Sequence, residues 1–197
     1  MSVETGEDYA DAVLTGQTWE RRSFERCDFT DADLRDLVTK ACSFTNCDFT
    51  RADLGDTKHT GTAFRGCTFN RTVFAASRFE GCTLLGSTFT DCRLRACTIR
   101  DTDLTLAGLG RVDLRKMDLS GLRLREANLV EADLREADLR GTDLSGARLL
   151  RTRLEDTDLR GARMDSDGLR QAQLVGAKID LDQAVRFAAA HGLVVEG

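Results

Sequence analysis

The fold class this sequence predicts is an all-β solenoid, on three observations: an apolar residue every fifth position, a second column of small residues two positions earlier, and no proline. Every fifth residue from Phe24 to Ile179 gives 32 positions, of which 30 are Phe, Leu, Ile or Met. Only Thr39 and His59 depart from the rule. The seven cysteines, Cys27, Cys42, Cys47, Cys67, Cys82, Cys92 and Cys97, all fall in the second column, so they report the repeat rather than a disulfide framework. Ordinary usage would supply roughly ten prolines in a chain of this length, and their absence points to uninterrupted regularity.

A spacing of two puts both apolar positions on one side of an extended backbone. Each pentapeptide is thus a short strand with one large and one small residue facing inward, and its three polar positions form the corner and outer wall. A single helix is excluded, because a period of five drifts around a 3.6-residue helix and wets half the large residues. Hairpins are excluded too, since Asp167-Gly168 is the only Asn-Gly or Asp-Gly dipeptide. Coils that stack at about 4.8 Å by backbone hydrogen bonds remain.

Runs such as Ala132-Asp133-Leu134-Arg135-Glu136, Ala137-Asp138-Leu139-Arg140-Gly141 and Cys47-Asp48-Phe49-Thr50-Arg51 resemble the repeat of the pentapeptide-repeat family. The resemblance implies a right-handed quadrilateral β-helix with four pentapeptides per coil, hence eight coils and a rod of roughly 38 Å. Thr39 and His59 lie 20 residues apart, so on that scheme they share one wall in adjacent coils, where a local bulge or wet patch is expected. Nine of the ten phenylalanines fill large positions between Phe24 and Phe89, and Leu dominates afterwards. The resemblance implies a change of turn along the axis.

Three regions are expected. Residues 1–18 form an N-terminal extension, the first seven disordered, although Tyr9 and Leu14 keep the register that continues in Trp19. Residues 19–180 form the β-helix, and 181–197 a C-terminal helix and dimerisation segment. Asp180 with Gln183 has capping-box spacing, and Gly192 can close a helix over Leu181 to His191. That segment carries more apolar surface than one cap needs, in Leu181, Val185, Phe187, Ala188, Leu193 and Val194. It is either a simple cap or a cap that also joins two chains tail to tail. The block from Leu174 to Leu193 resembles the mycobacterial fluoroquinolone-resistance subfamily. That resemblance implies a dimer shaped and charged like DNA that binds DNA gyrase and protects it from fluoroquinolones.

No catalytic or metal site is expected, nor a cofactor. The chain has two histidines, His59 in the core register and His191 at a helix end, and no phosphate loop, nucleophile elbow or zinc motif. Cys27, Cys47 and Cys67 would stack in one column, where a free cysteine serves as a small buried residue. Eleven of 32 repeats carry Asp before the large residue, a regularity that suits corner hydrogen bonds rather than catalysis. With 28 bases, 33 acids and a net charge of −5, direct nucleic-acid binding is disfavoured. No apolar run is long enough for a membrane helix and the first residues lack a cationic leader, so a soluble, cytoplasmic protein is expected.

Mimicry of DNA demands negative charge on the outer walls. Residues 1–21 and 182–197 carry the whole excess, and 22–181 are neutral in sum. The candidate partner-binding surface is therefore local: Asp113, Asp118, Glu126, Glu131, Asp133, Glu136 and Asp138, interleaved with arginines. Two functions stand at this point, a dimeric gyrase-binding regulator and a passive scaffold.

Overall fold

The computed structural model describes residues 3–196, in two compact units, Met1–Gly108 and Leu109–Gly197. Both are parallel β-solenoids whose coils take 20 residues, because every pairing in them joins residue i to i+20. Four pentapeptides therefore close one coil, and the walls can be numbered by the large residue at their centre. Phe24 and Phe44 lie on wall one, Phe29 and Phe49 on wall two, Leu34 and Leu54 on wall three, Thr39 and His59 on wall four.

In the first unit, wall one is the sheet β1 (Val3–Thr5), β3 (Ser23–Glu25), β5 (Ser43–Thr45) and β7 (Ala63–Arg65). Wall four is the sheet β2 (Thr18–Glu20), β4 (Val38–Lys40), β6 (Lys58–Thr60), β9 (Arg78–Glu80) and β11 (Thr98–Arg100). On wall two, β8 (Thr68–Asn70) pairs with β10 (Thr88–Thr90). The remaining repeats, and all described repeats of the second unit, are single bridges followed by tight turns. Among the described residues three-residue strands are confined to the first unit, where Phe29, Phe49 and Phe74 nevertheless sit on single bridges, so the choice of Phe or Leu does not by itself set the local form.

The two inward columns are filled as the period requires. Phe24, Phe44 and Phe64 stack with ring centroids 4.9 Å apart, and Phe29 stacks on Phe49 at 4.9 Å. Rings of adjacent walls meet edge to face at 5.6 to 6.0 Å, the geometry that aligns positive ring edges with negative faces. In the second unit the same place is taken by Leu114, Leu119, Leu129, Leu134 and their neighbours, all buried. The small column has its own chemistry. Cys42, Cys67, Thr72, Thr142, Thr152 and Thr157 each donate to the carbonyl of the large residue 23 positions back, with Thr72 Oγ1 2.7 Å from the Phe49 oxygen and Cys67 Sγ 3.5 Å from that of Phe44. Cys, Thr and Ser interchange there because each is small and can donate.

Every corner residue from Gly6 to Gly161, one in five, has φ between 48° and 72°. Ten of those corners are glycine and the rest carry side chains, among them Arg26, Ala76, Leu106 and Glu131. A left-handed residue costs an L side chain roughly 1–2 kcal/mol, which the ladder hydrogen bonds on either side must offset.

Three expectations need correction. The start of the chain is ordered from Val3: β1 pairs with β3 in register, and Asp8 and Val13 bridge to Asp28 and Asp33. The sequence concealed this because Glu4 occupies a large-residue position. Met1 and Ser2 lie outside the described residues. Wall four is neither bulged nor wet at Thr39 and His59, which are directly paired and 0% and 1% exposed. Thr39 Oγ1 lies 2.7 Å from His59 Nδ1 and 2.8 Å from Thr62 Oγ1, and His59 Nε2 lies 3.0 Å from Thr57 Oγ1. The polar groups satisfy one another, so no water is needed. Finally, the pentapeptide scheme breaks at α1 (Ser166–Gln171). Here Gly168 approaches Leu149 so closely that a Cβ would stand 2.9 Å from Leu149 Cδ1, while Leu169 remains 3% exposed. One helical turn thus replaces a repeat without emptying the column.

The closing helix α2 (Leu181–Ala190) forms as the capping signal requires. Asp180 Oδ1 accepts from the Gln183 backbone at 2.9 Å, and Gln183 Oε1 accepts from the Asp180 backbone at 2.9 Å. Gln183 is also buried, and its Nε2 donates to the carbonyls of Leu159 and Ala162 at 2.6 and 2.8 Å, tying α2 to the last coil.

Candidate partner-binding surface

The acids singled out in the sequence lie on the outer walls of the second unit, where arginines two or twenty residues away engage most of them. Asp113 pairs with Arg115 at 2.6 Å, Asp138 with Arg140 at 2.5 Å, and Glu131 with Arg111 at 2.7 Å and Arg151 at 3.7 Å. Asp133 is held by Arg135 at 2.6 Å and Arg153 at 3.3 Å, and Glu136 by Lys116 at 3.4 Å. Hydrogen bonds from these arginines hold the carboxyls of Asp113, Asp133 and Asp138 below the usual carboxylate range. Asp118 instead accepts from the Ser120 backbone and hydroxyl at 3.1 and 2.7 Å. Glu126 sits at a left-handed corner, with φ of 55°. The interleaved arginines thus make this unit a wall of local pairs, with 16 acids against 15 bases over residues 109–197.

Unbalanced negative charge gathers elsewhere. Residues 1–56 hold 13 acids and six bases. On wall two, Asp8, Asp28 and Asp48 are successive bridge partners, so their carboxylates form a column spaced by one coil, about 4.8 Å. Each turns back on its own corner: Asp28 Oδ1 accepts from the Thr30 backbone at 2.8 Å, and Asp48 Oδ1 accepts from the Thr50 backbone at 2.8 Å and from its hydroxyl at 2.6 Å. Asp11, Asp31, Asp36 and Asp56 occupy the corners beside this wall and wall three. Arg51 pairs with Asp31, and Arg35 with Asp33 at 2.6 Å. Asp8, Asp11, Asp28, Asp36, Asp48 and Asp56 make no ion pair among the described residues. The signal was present in the sequence but becomes visible only at a spacing of 20, where unrelated positions turn into neighbours.

At the other end of the chain, the residues expected to join two copies are unevenly exposed. Leu181 is 78%, Leu193 63%, Val194 84% and Val185 39% exposed, while Phe187 and Ala188 are half-buried. Val175 at 80% and Val195 at 54% extend the apolar surface. The Phe187 ring rests on His191 with centroids 4.3 Å apart, and His191 Nδ1 lies 2.9 Å from the Phe187 carbonyl.

Burial drives the His59 pKa down to about 3 and pushes Cys92 and Cys97 up to about 11 and 12. Protonated thiols aimed at carbonyls are poor nucleophiles. No helix among the described residues is long and apolar enough to cross a membrane.

Comparison with known proteins agrees with the coil. The family model described as a pentapeptide repeat region matches residues 17–88 and 87–164. The structure of a trypsin-treated variant of QnrB1, a plasmid-mediated fluoroquinolone resistance protein, superposes with a TM-score of 0.84. It is 25% identical over 98% of this chain and 97% of that one. Full-length QnrB1 gives a TM-score of 0.84 at 24% identity, over 97% of each chain. No curated protein matches the sequence. With its 20-residue coil, its two inward columns and a family match over most of its length, the chain belongs to the pentapeptide-repeat family.

Proposed function

We propose that the chain binds DNA gyrase as a DNA-mimicking homodimer and shields it from fluoroquinolones. The observation that carries this reading is the likeness to QnrB1 along nearly the whole of both chains, that protein being one of fluoroquinolone resistance. Support comes from the Asp8-Asp28-Asp48 column and its flanking corner aspartates. Like charges stacked one coil apart are unfavourable in the free protein, and a cationic surface built to hold phosphates relieves that repulsion. Such a surface is what a DNA-binding enzyme offers. Tail-to-tail pairing through α2 and Leu193–Val195 would bury the apolar residues that the chain leaves exposed. The protein then works by occupying a surface, in the cytoplasm where the chromosome is handled, and needs no catalytic group.

A supercoiling assay tests the reading. Micromolar protein is expected to slow gyrase and to reduce the cleaved complexes that fluoroquinolones trap. Gyrase that behaves identically with and without the protein would overturn it. The passive scaffold is the second reading, and the paired charges of the second unit favour it. It requires that neutralising Asp28 and Asp48 leaves every interaction intact.

A further inference from the structure

The later coils of the first unit are charged in the opposite sense to its first ones. Residues 57–108 hold seven bases and four acids. Five of the bases share two neighbouring walls: Lys58, Arg78 and Arg100 stand on β6, β9 and β11 of wall four, and Arg93 and Arg95 flank Leu94 on wall three. All five are exposed, and none makes an ion pair among the described residues. Lys58 and Arg78 are direct ladder partners, a costly placement for like charges. Glu80, opposite Arg100 in the register, is the one acid of residues 57–108 on the faces of these two walls, with Asp56, Asp91 and Asp101 at their corners. In the second unit arginines are used to clamp carboxylates; here, among the described residues, none of the five closes an ion pair with one.

We propose that these five residues form a ledge that docks an acidic segment of a partner protein. The ledge covers three coils, on the order of 10 Å, which matches three or so residues of extended chain. A nucleic-acid duplex fits worse, because one laid along walls three and four would run onto the corner aspartates Asp36 and Asp56 of the same unit, where its phosphates are repelled. The inference stands on this charge pattern. Joined to the gyrase reading, it gives the protein a contact that DNA cannot make, and so a means of being told apart from DNA.

The test is fluorescence anisotropy of a labelled oligoglutamate peptide and a labelled short DNA duplex with the full-length protein at low salt. The peptide is expected to bind, to weaken steeply as salt rises, and to lose about tenfold or more in affinity in Arg78→Glu/Arg93→Glu/Arg100→Glu. The neutral set Arg78→Gln/Arg93→Gln/Arg100→Gln gives the same readout with less strain on folding, and is expected to show an intermediate loss. No peptide binding by the wild type, equal affinity in the substituted proteins, or tighter binding of the duplex than of the peptide would each overturn the proposal. None of these outcomes depends on gyrase.

Discussion

A single residue, His59, shows how the core tolerates an exception. It fills a place that elsewhere holds Phe or Leu, stacks on Phe79 at 4.7 Å, and has both ring nitrogens within hydrogen-bond distance of threonine hydroxyls. Burial favours the neutral ring, so its folded pKa of about 3 lies below the ordinary value of 6.5. Protonation therefore favours the unfolded chain. Stability from this group is complete above pH 6.5 and falls by about 1.4 kcal/mol per pH unit below it. Chemical denaturation between pH 7 and about pH 5, above the range where carboxylates titrate, should show that slope in the wild type and lose it in His59→Phe. Leu106 offers a second test at this scale. It is 53% exposed with φ of 61°, so Leu106→Gly removes a left-handed penalty and an exposed apolar side chain together. Its thermal midpoint should rise, with a gain near 1 kcal/mol.

Among the elements, the pentapeptides were legible in full and the ends only in part. The period of five needs nothing beyond the chain itself, which is why the strands and the two columns follow from it. The left-handed corners were less visible, because Arg, Ala and Glu share those positions with glycine and mask the backbone requirement. The α1 turn was hidden for a related reason: Leu169 keeps the five-residue phase although the backbone around it is helical. At the N-terminus, Glu4 interrupts the aromatic column. Arg22 reaches Glu4 at 2.7 Å while its guanidinium lies 4.7 and 4.8 Å over the rings of Trp19 and Phe24. A charged pair thus covers the open end of the stack, where a bare edge strand would invite another chain. At the other end, Gln183 is the tie. Gln183→Leu removes the buried donor from two carbonyls of the last coil; that of Leu159 keeps the Ala162 N–H, and that of Ala162 loses its side-chain partner at about 1–3 kcal/mol. Hydrogen exchange in α2 should rise well ahead of exchange in the coils; equal protection would contradict that role.

For the molecule as a whole, charge is the property that sequence order scrambles and the coil restores. Asp133 and Asp138 turn out to be balanced by arginines two residues on, and Asp133 and Glu136 also by Arg153 and Lys116 across the ladder. Acids 20 residues apart, Asp8, Asp28 and Asp48, prove to be neighbours with no such balance. If two copies join through α2, Phe187→Asp places a charge in the junction at a cost of several kcal/mol, and sedimentation should show monomers where the wild type gives dimers. The most direct measurement of the gyrase reading is displacement of a labelled DNA duplex from gyrase as the protein is added, for the wild type and for Asp8→Asn/Asp28→Asn/Asp48→Asn. The expected result is displacement by the wild type and a loss of about tenfold or more in potency for the triple variant. DNA that stays bound at saturating protein, or a variant that competes as well as the wild type, would contradict it.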